Sequence, residues 1–308
     1  MTISISILSK IRRITLFLLL VTFVFSTTSR AETNVLDEFK PIKQKLLDDG
    51  IKVSTVNQYF SDSRFEIIPS LLKVNIRQPS GTAGYQRFLG DESVQTASRF
   101  LNLNRAVFEE VVEGTRVEPE VVVAILNVES SLGKYKGTYP LMNVFASLTI
   151  LDSPTLLNHA PDFWDKILED IPETEHSATR TKATKRSKSK ARWAYRQLKA
   201  LMIMAEEGKL DPLDAKGSWA GAYGLPQFLP TSAQAYGRDG DGDGDVQLDV
   251  LHDAIASVAN YLRIHGYRID NPKKRRKAVW HYNHSDEYVD CVLGLADKIK
   301  EYNKTSRN

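Results

Sequence analysis

Apolar positions recur three and four residues apart along most of the chain, a period that predicts helices. Residues 35–76 read as short amphipathic helices interrupted by Gly50, Pro69 and Pro79. Residues 92–113 carry Phe100, Leu101, Leu103, Val107, Phe108 and Val111 at helical spacing. Pro119 is placed to open another helix, whose run from Val121 is apolar on every face until Glu129. Residues 152–172 hold three prolines beside Phe163 and Trp164. Thr174 to Lys190, rich in Ser, Thr, Lys and Arg, has no hydrophobic period and reads as a loop or disordered insert. Helical period resumes from Arg192 to Gly208, and again over 253–265 and 287–302. Glycines punctuate 217–237, and 239–245 alternates Asp with Gly. No long alternating strand pattern occurs, so the fold class is mainly α (α+β), with at most a small β element.

Composition changes this picture little, but charge does. The 308 residues are 42% hydrophobic and 26% charged, which excludes wholesale disorder and collagen-like or disulfide-held scaffolds. The net charge of +3 divides into +4 over residues 1–31, from Lys10, Arg12, Arg13 and Arg30, and −1 over the remainder. Lys10, Arg12 and Arg13 precede the apolar run Ile14 to Phe25, and small residues lead to Ala31. That is the form of a signal peptide cleaved after Ala31, with an uncleaved anchor as the alternative. The run is short against the roughly 20 residues of a bilayer span. No cysteine follows it to carry a lipid, and a bacterial periplasm is the expected destination. Cys291, the only thiol, excludes an intrachain disulfide and reads as a small core hydrophobe. Without the leader nothing points to nucleic acid. Arg180 to Arg192 holds seven positive charges and no acid, a solvated loop or a face for polyanions, for anionic wall or membrane, or for cell-envelope proteins.

Four segments could carry chemistry. Glu129 shares a stripe with Val122, Ile125 and Leu126, and burial there would raise its pKa as a general acid requires. A helix-end glutamate capping Ser130, Ser131 or Gly133 fits the same spacing. Lys216 to Ser232 (KGSWAGAYGLPQFLPTS) is a Gly-bent surface where Ser218, Tyr223, Gln227 and Phe228 could bond and stack on sugars. It could equally be a connector, but not a phosphate loop, since no strand precedes it and no Lys-Ser/Thr pair closes it. Asp239, Asp241, Asp243 and Asp245 occupy positions 1, 3, 5 and 7 of an EF-hand-like calcium loop with Gly244 at 6. Position 12 is Val250, so the closing ligand is expected from Asp253. A solvated acidic turn is the plainer reading. In Trp280 to Tyr288 (WHYNHSDEY), Tyr282 and Asn283 could line a polar groove, and His281 and His284 read as surface histidines.

Taken together, VEPEVVVAILNVESSLG, GSWAGAYGLPQF, the Asp-rich loop with DAIASVANYLRIHGY, and AVWHYNHSDEYVDCVLGLA resemble the lytic murein transglycosylase B family. The resemblance spans roughly residues 35 to 300. It implies a lysozyme-like core with an added N-terminal helical segment, divided as leader 1–31, segment 32–115 and catalytic core 116–308. Within the core, 151–191 would be a variable, partly basic insert and 239–253 the calcium loop. It implies Glu129 as sole acid/base, with Ser218, Gln227, Tyr261, Tyr282 and Asn283 in the substrate groove. Asp239, Asp241, Asp243, Asp245 and Asp253 would hold structural calcium. The implied substrate is a peptidoglycan glycan strand, cleaved by a monomer to leave 1,6-anhydromuramoyl ends. A hydrolytic muramidase and a non-catalytic glycan-binding module are the competing readings.

Overall fold

The structure, a computed structural model, describes residues 37–76, 84–154 and 161–305. The leader of residues 1–31, Pro79 and residues 155–160 of the proline-rich stretch lie outside these. Helices α1 (Lys40–Asp48), α2 (Val53–Phe60) and α3 (Pro69–Ile76) come first. Pro69 starts α3 instead of breaking one, because the first turn needs no donor from it. Next are α4 (Asp91–Leu103), α5 (Arg105–Val112) and α6 (Pro119–Ser130). Asn104 divides the single helix expected over 92–113, its side-chain amide donating to the Phe100 carbonyl at 2.8 Å.

Helix α7 (Leu141–Thr149) leads through α8 (Pro161–Leu168) to α9 (His176–Glu206), of 31 residues. This corrects the loop expected over Thr174 to Lys190. The inward positions of that stretch are Ala183, Ser187 and Ala191, buried at four-residue spacing. Small residues carry the helical period there, so it is invisible to a count of large hydrophobes, while Lys and Arg favour helix on the outer face. Strand β1 (Tyr139–Pro140) pairs antiparallel with β2 (Lys216–Gly217). Helices α10 (Pro230–Tyr236), α11 (Leu251–Ile264), α12 (Pro272–Tyr282) and α13 (Asp286–Thr305) complete the chain.

One core joins α4, α5 and α6 to α11, α12 and α13, so residues 88–112 are integral to the core that holds Glu129's helix, not added to it. Cys291 lies in this core, as expected. A second joins α1, α2 and α7 to the C-terminal half of α9, and a third packs α3 and α8 against its N-terminal half. Leu225 belongs to the first core, Tyr223 and Phe228 to the second, and Tyr282 packs against both. The glycine-rich segment therefore runs along the seam between two packed bodies. Gly221 sits there at φ +82° against the Cζ end of the Phe145 ring, with no room for a Cβ. Gly221→Ala should cost about 2–4 kcal/mol from strain and overpacking together, read as a fall in the urea midpoint.

Candidate active site

Helix α6 carries four valines, poor intrinsic helix formers, and holds because Val121 through Asn127 are all buried. It ends abruptly. Ser131, Leu132 and Gly133 all have positive φ, two of them non-glycine, which costs on the order of 1 kcal/mol or more each. The turned chain lets the Ser131 and Leu132 amides donate to Asn127 O and Leu126 O at 3.0 and 3.1 Å. Glu129 is thus fixed on the last turn before a sharp corner.

Its carboxyl is half-buried, and Oε1 accepts from the Tyr288 hydroxyl at 2.7 Å. Burial raises its pKa from 4.5 to about 7, against the opposing pull of that hydrogen bond. Among the described residues no carboxylate adds to the shift. Tyrosines surround it. The Tyr85 ring meets Tyr288 edge-on at 5.8 Å, and Tyr282 stacks parallel to Tyr288 at 6.3 Å. Asn283 Nδ2 donates to the Tyr85 hydroxyl at 3.3 Å. Burial first and then the charge of Glu129 push all three phenols upward, so they stay neutral donors. Tyr288→Phe removes the one bond that favours the carboxylate, so the alkaline limb of the pH–rate profile should move up by about one unit or less. An unmoved limb would deny Tyr288 that role.

The opposite wall is the turn Gly224 to Gln227. Tyr223 and Phe228 exchange two backbone bonds of 2.9 and 3.1 Å that close it. Three of its carbonyls are each taken by a different side chain. Gly224 O accepts from Gln227 Nε2 at 2.9 Å, Leu225 O from the Ser130 hydroxyl at 2.8 Å, and Pro226 O from the Tyr282 hydroxyl at 2.6 Å. Ser130 thereby ties the glutamate's own helix to the turn. Gln227 adopts φ +51°, a left-handed backbone unusual for a side-chain residue and common at functional sites. Ser218 Oγ accepts from the Ala220 and Ala222 amides at 3.3 and 3.2 Å, holding the neighbouring turn.

Glu129, Tyr282 and Asn283 are thus joined through the tyrosine cluster, and Gln227 through the turn that Tyr282 anchors. Two other expected groove residues sit differently. The Tyr261 hydroxyl donates to His281 O at 2.6 Å while its ring packs on Tyr282 and Phe228 at 5.0 and 5.7 Å, behind the wall as a support. The buried Tyr223 ring lines a 340 Å³ cavity with Leu248 and Asp249 that none of Glu129, Ser218, Gln227, Tyr282 and Asn283 lines. Tyr223 serves the turn through its backbone. Tyr288 and Tyr85 were not anticipated. Tyr288 ends the WHYNHSDEY segment, whereas Tyr85, far upstream in a short 3-10 turn, gave no signal.

In the acidic loop, Asp239, Asp241 and Asp253 each offer an oxygen within 4.8 Å of the others. That span suits a hard cation about 2.4 Å from each. Asp253 is buried, and its two oxygens accept from the Gly240 and Gln247 amides at 2.8 and 2.6 Å. Asp243 and Asp245 stay exposed outside the group, their positions 5 and 7 taken up by the loop's own turns. Asp249 pairs with Lys136 at 2.8 Å. The three carboxylates, Asp253 among them at the head of α11, are the hard oxygen donors that calcium takes. His281 and His284 belong to no metal-ligand group among the described residues.

A family model described as a transglycosylase SLT domain matches residues 34–279. The membrane-bound lytic murein transglycosylase B of Escherichia coli (strain K12) is 28% identical over 198 residues, 63% of this chain and 45% of that protein. The chain thus spans less than half the length of that relative. Among solved structures, soluble lytic transglycosylase SltB1 from Pseudomonas aeruginosa superposes with a TM-score of 0.67 at 21% identity, over 88% of this chain and 99% of that one. SltB3 from the same organism, in complex with NAG-anhNAM-pentapeptide, gives 0.66 at 21% identity, over 84% and 78%. Escherichia coli Slt35 in complex with calcium gives 0.63 at 20% identity, over 85% and 93%. These likenesses place the mostly helical fold with the lysozyme-like lytic transglycosylases.

Proposed function

The chain belongs to the transglycosylase SLT domain family, and from that premise we propose that it is a peptidoglycan lytic transglycosylase with Glu129 as its single acid/base. The observation that carries this reading is the Glu129 carboxyl, held by the Tyr288 hydroxyl at 2.7 Å and pushed up to about 7 by burial. Glu129, protonated, gives its proton to the oxygen leaving N-acetylmuramic acid. The muramic N-acetyl carbonyl stabilises C1 as the bond opens. Glu129, now a carboxylate steadied by Tyr288, takes the C6 hydroxyl proton, and the C6 oxygen closes on C1. The product carries a 1,6-anhydro end, and Glu129 is returned to its acid form.

Ser218, Gln227, Tyr282 and Asn283 hold the acetamido group and sugar against the glutamate. The acidic loop binds calcium through Asp239, Asp241 and Asp253 and stiffens the junction of α11 with the turn, which is joined to it by the Leu225 amide donating to Leu248 O at 2.9 Å. The leader exports the chain to the periplasm. No helix of the described residues is long and apolar enough to cross a membrane. Purified sacculi tests the activity: falling turbidity with soluble anhydro-muropeptides supports it, and intact sacculi at full enzyme loading would reject it. Because the acid form acts first, kcat/KM should fall as pH rises through about 7.

A further inference from the structure

The basic half of α9 is unused by this chemistry. There Arg186, Lys190, Arg192 and Arg196 line an open cavity of about 510 Å³ with Ser189 and Trp193. The lining contains no carboxylate, and among the described residues none of the four cations has an ion-pair partner. Lys190 Nζ lies 3.6 Å from the centre of the Trp193 ring. Burial and then the charge of Arg186 push its pKa down to about 8, and Asp152, outside the lining, is the carboxylate that feels the charge of Arg192. Packed residues link the cavity to the groove wall. Arg186 Nε donates to Asn75 O at 3.2 Å, and Asn75 Nδ2 donates to Trp219 O at 3.5 Å, one residue beyond Ser218. The Trp193 ring meets Phe145 at 5.9 Å, the same ring that Gly221 packs against.

We propose that this cavity binds the carboxylates of peptide stems carried by the glycan strand whose sugars occupy the groove. The proposal rests on the groove being a peptidoglycan site. Stem peptides bear several free carboxylates, and guanidinium groups grip carboxylates in paired, charge-assisted bonds. A strand lying past Ser218 and Trp219 would carry its stems across the basic wall. The contact selects stem-bearing strands over stripped ones and weakens as salt screens it.

Binding by inert Glu129→Gln protein tests this without relying on turnover. The probes are soluble strands with tetrapeptide stems, the same strands stripped by an amidase, and vesicles one-third anionic phospholipid. Stems should tighten binding about tenfold in the Glu129→Gln parent. Adding Lys190→Gln, Arg192→Gln and Arg196→Gln should erase that ratio, and Arg192→Lys with Arg196→Lys should lose more than half of it, since lysine keeps the charge but not the guanidinium fork. Arg186 is left in place because it braces Asn75. An unchanged ratio in the triple variant, or no preference in the parent, would overturn the proposal. So would vesicle binding that vanishes in the triple variant while the stem preference persists, which would assign the cavity to lipid. Stem preference without any product from the wild type would instead reject the activity and leave the cavity's ligand standing.

Discussion

Glu129→Gln is expected to lower kcat on purified sacculi by about a thousandfold or more while glycan binding stays within a factor of about two. Glutamine keeps the shape of the side chain and can still accept from Tyr288, but it can neither give the first proton nor take the second. Both steps fail together because one group performs both. A variant retaining a tenth of wild-type turnover would deny Glu129 the central role. The same substitution has a stability consequence of opposite sense. The folded pKa of about 7 lies above the ordinary 4.5, so the native state holds the extra proton between those values. Glu129's contribution is full below about 4.5 and is lost as pH rises through 7. Glutamine does not titrate. The variant should therefore match the wild type near pH 4 and exceed it by about 1–3 kcal/mol near pH 8, seen as a higher Tm. Equal Tm values at both pH values would mean that the carboxyl is not held in a costly environment.

The second large effect belongs to Asp253. Its buried carboxylate accepts two backbone amides, one from each end of the acidic loop, and lies with Asp239 and Asp241. Asp253→Ala loses two charge-assisted bonds and a cation ligand and leaves both amides without that acceptor. The expected loss is about 3–5 kcal/mol in chemical denaturation. The cation's share is separable. Calcium at a hundredfold its Kd should stabilise the wild type by about 2.7 kcal/mol, and a chelator should remove that increment. Asp253→Ala should respond to neither. A wild type indifferent to chelator would remove calcium from the account, leaving Asp253 a structural carboxylate only.

Helices with large apolar residues could be read directly from the chain. Pro119 opened α6 where expected, and the apolar run from Val121 leads into the buried stretch Val121 to Asn127. The first half of α9 could not be read in this way, because Ala183, Ser187 and Ala191 bury almost nothing that a hydrophobicity pattern weighs. The site divides along a similar line. Glu129, Gln227, Tyr282 and Asn283 stand in dense local segments whose residue types suggest chemistry. Tyr85 and the link from Ser130 to Leu225 depend on which distant segments meet, and no local spacing encodes that. Tyr223 and Tyr261 lie in or beside the right segments yet turn into the core, since a phenol fits a seam as well as a groove. In the acidic loop the alternating aspartates were plain. Only three-dimensional closure separates the three that converge from the two that do not.

The central claim is that one carboxyl serves as acid and then base while the sugar's own C6 oxygen closes the reaction. Digesting sacculi in water enriched in heavy oxygen, and weighing the released muropeptides, tests it most directly. The account predicts ends one water lighter than a reducing sugar and free of the label. Reducing ends bearing the heavy oxygen would show that water attacks C1, and would contradict it.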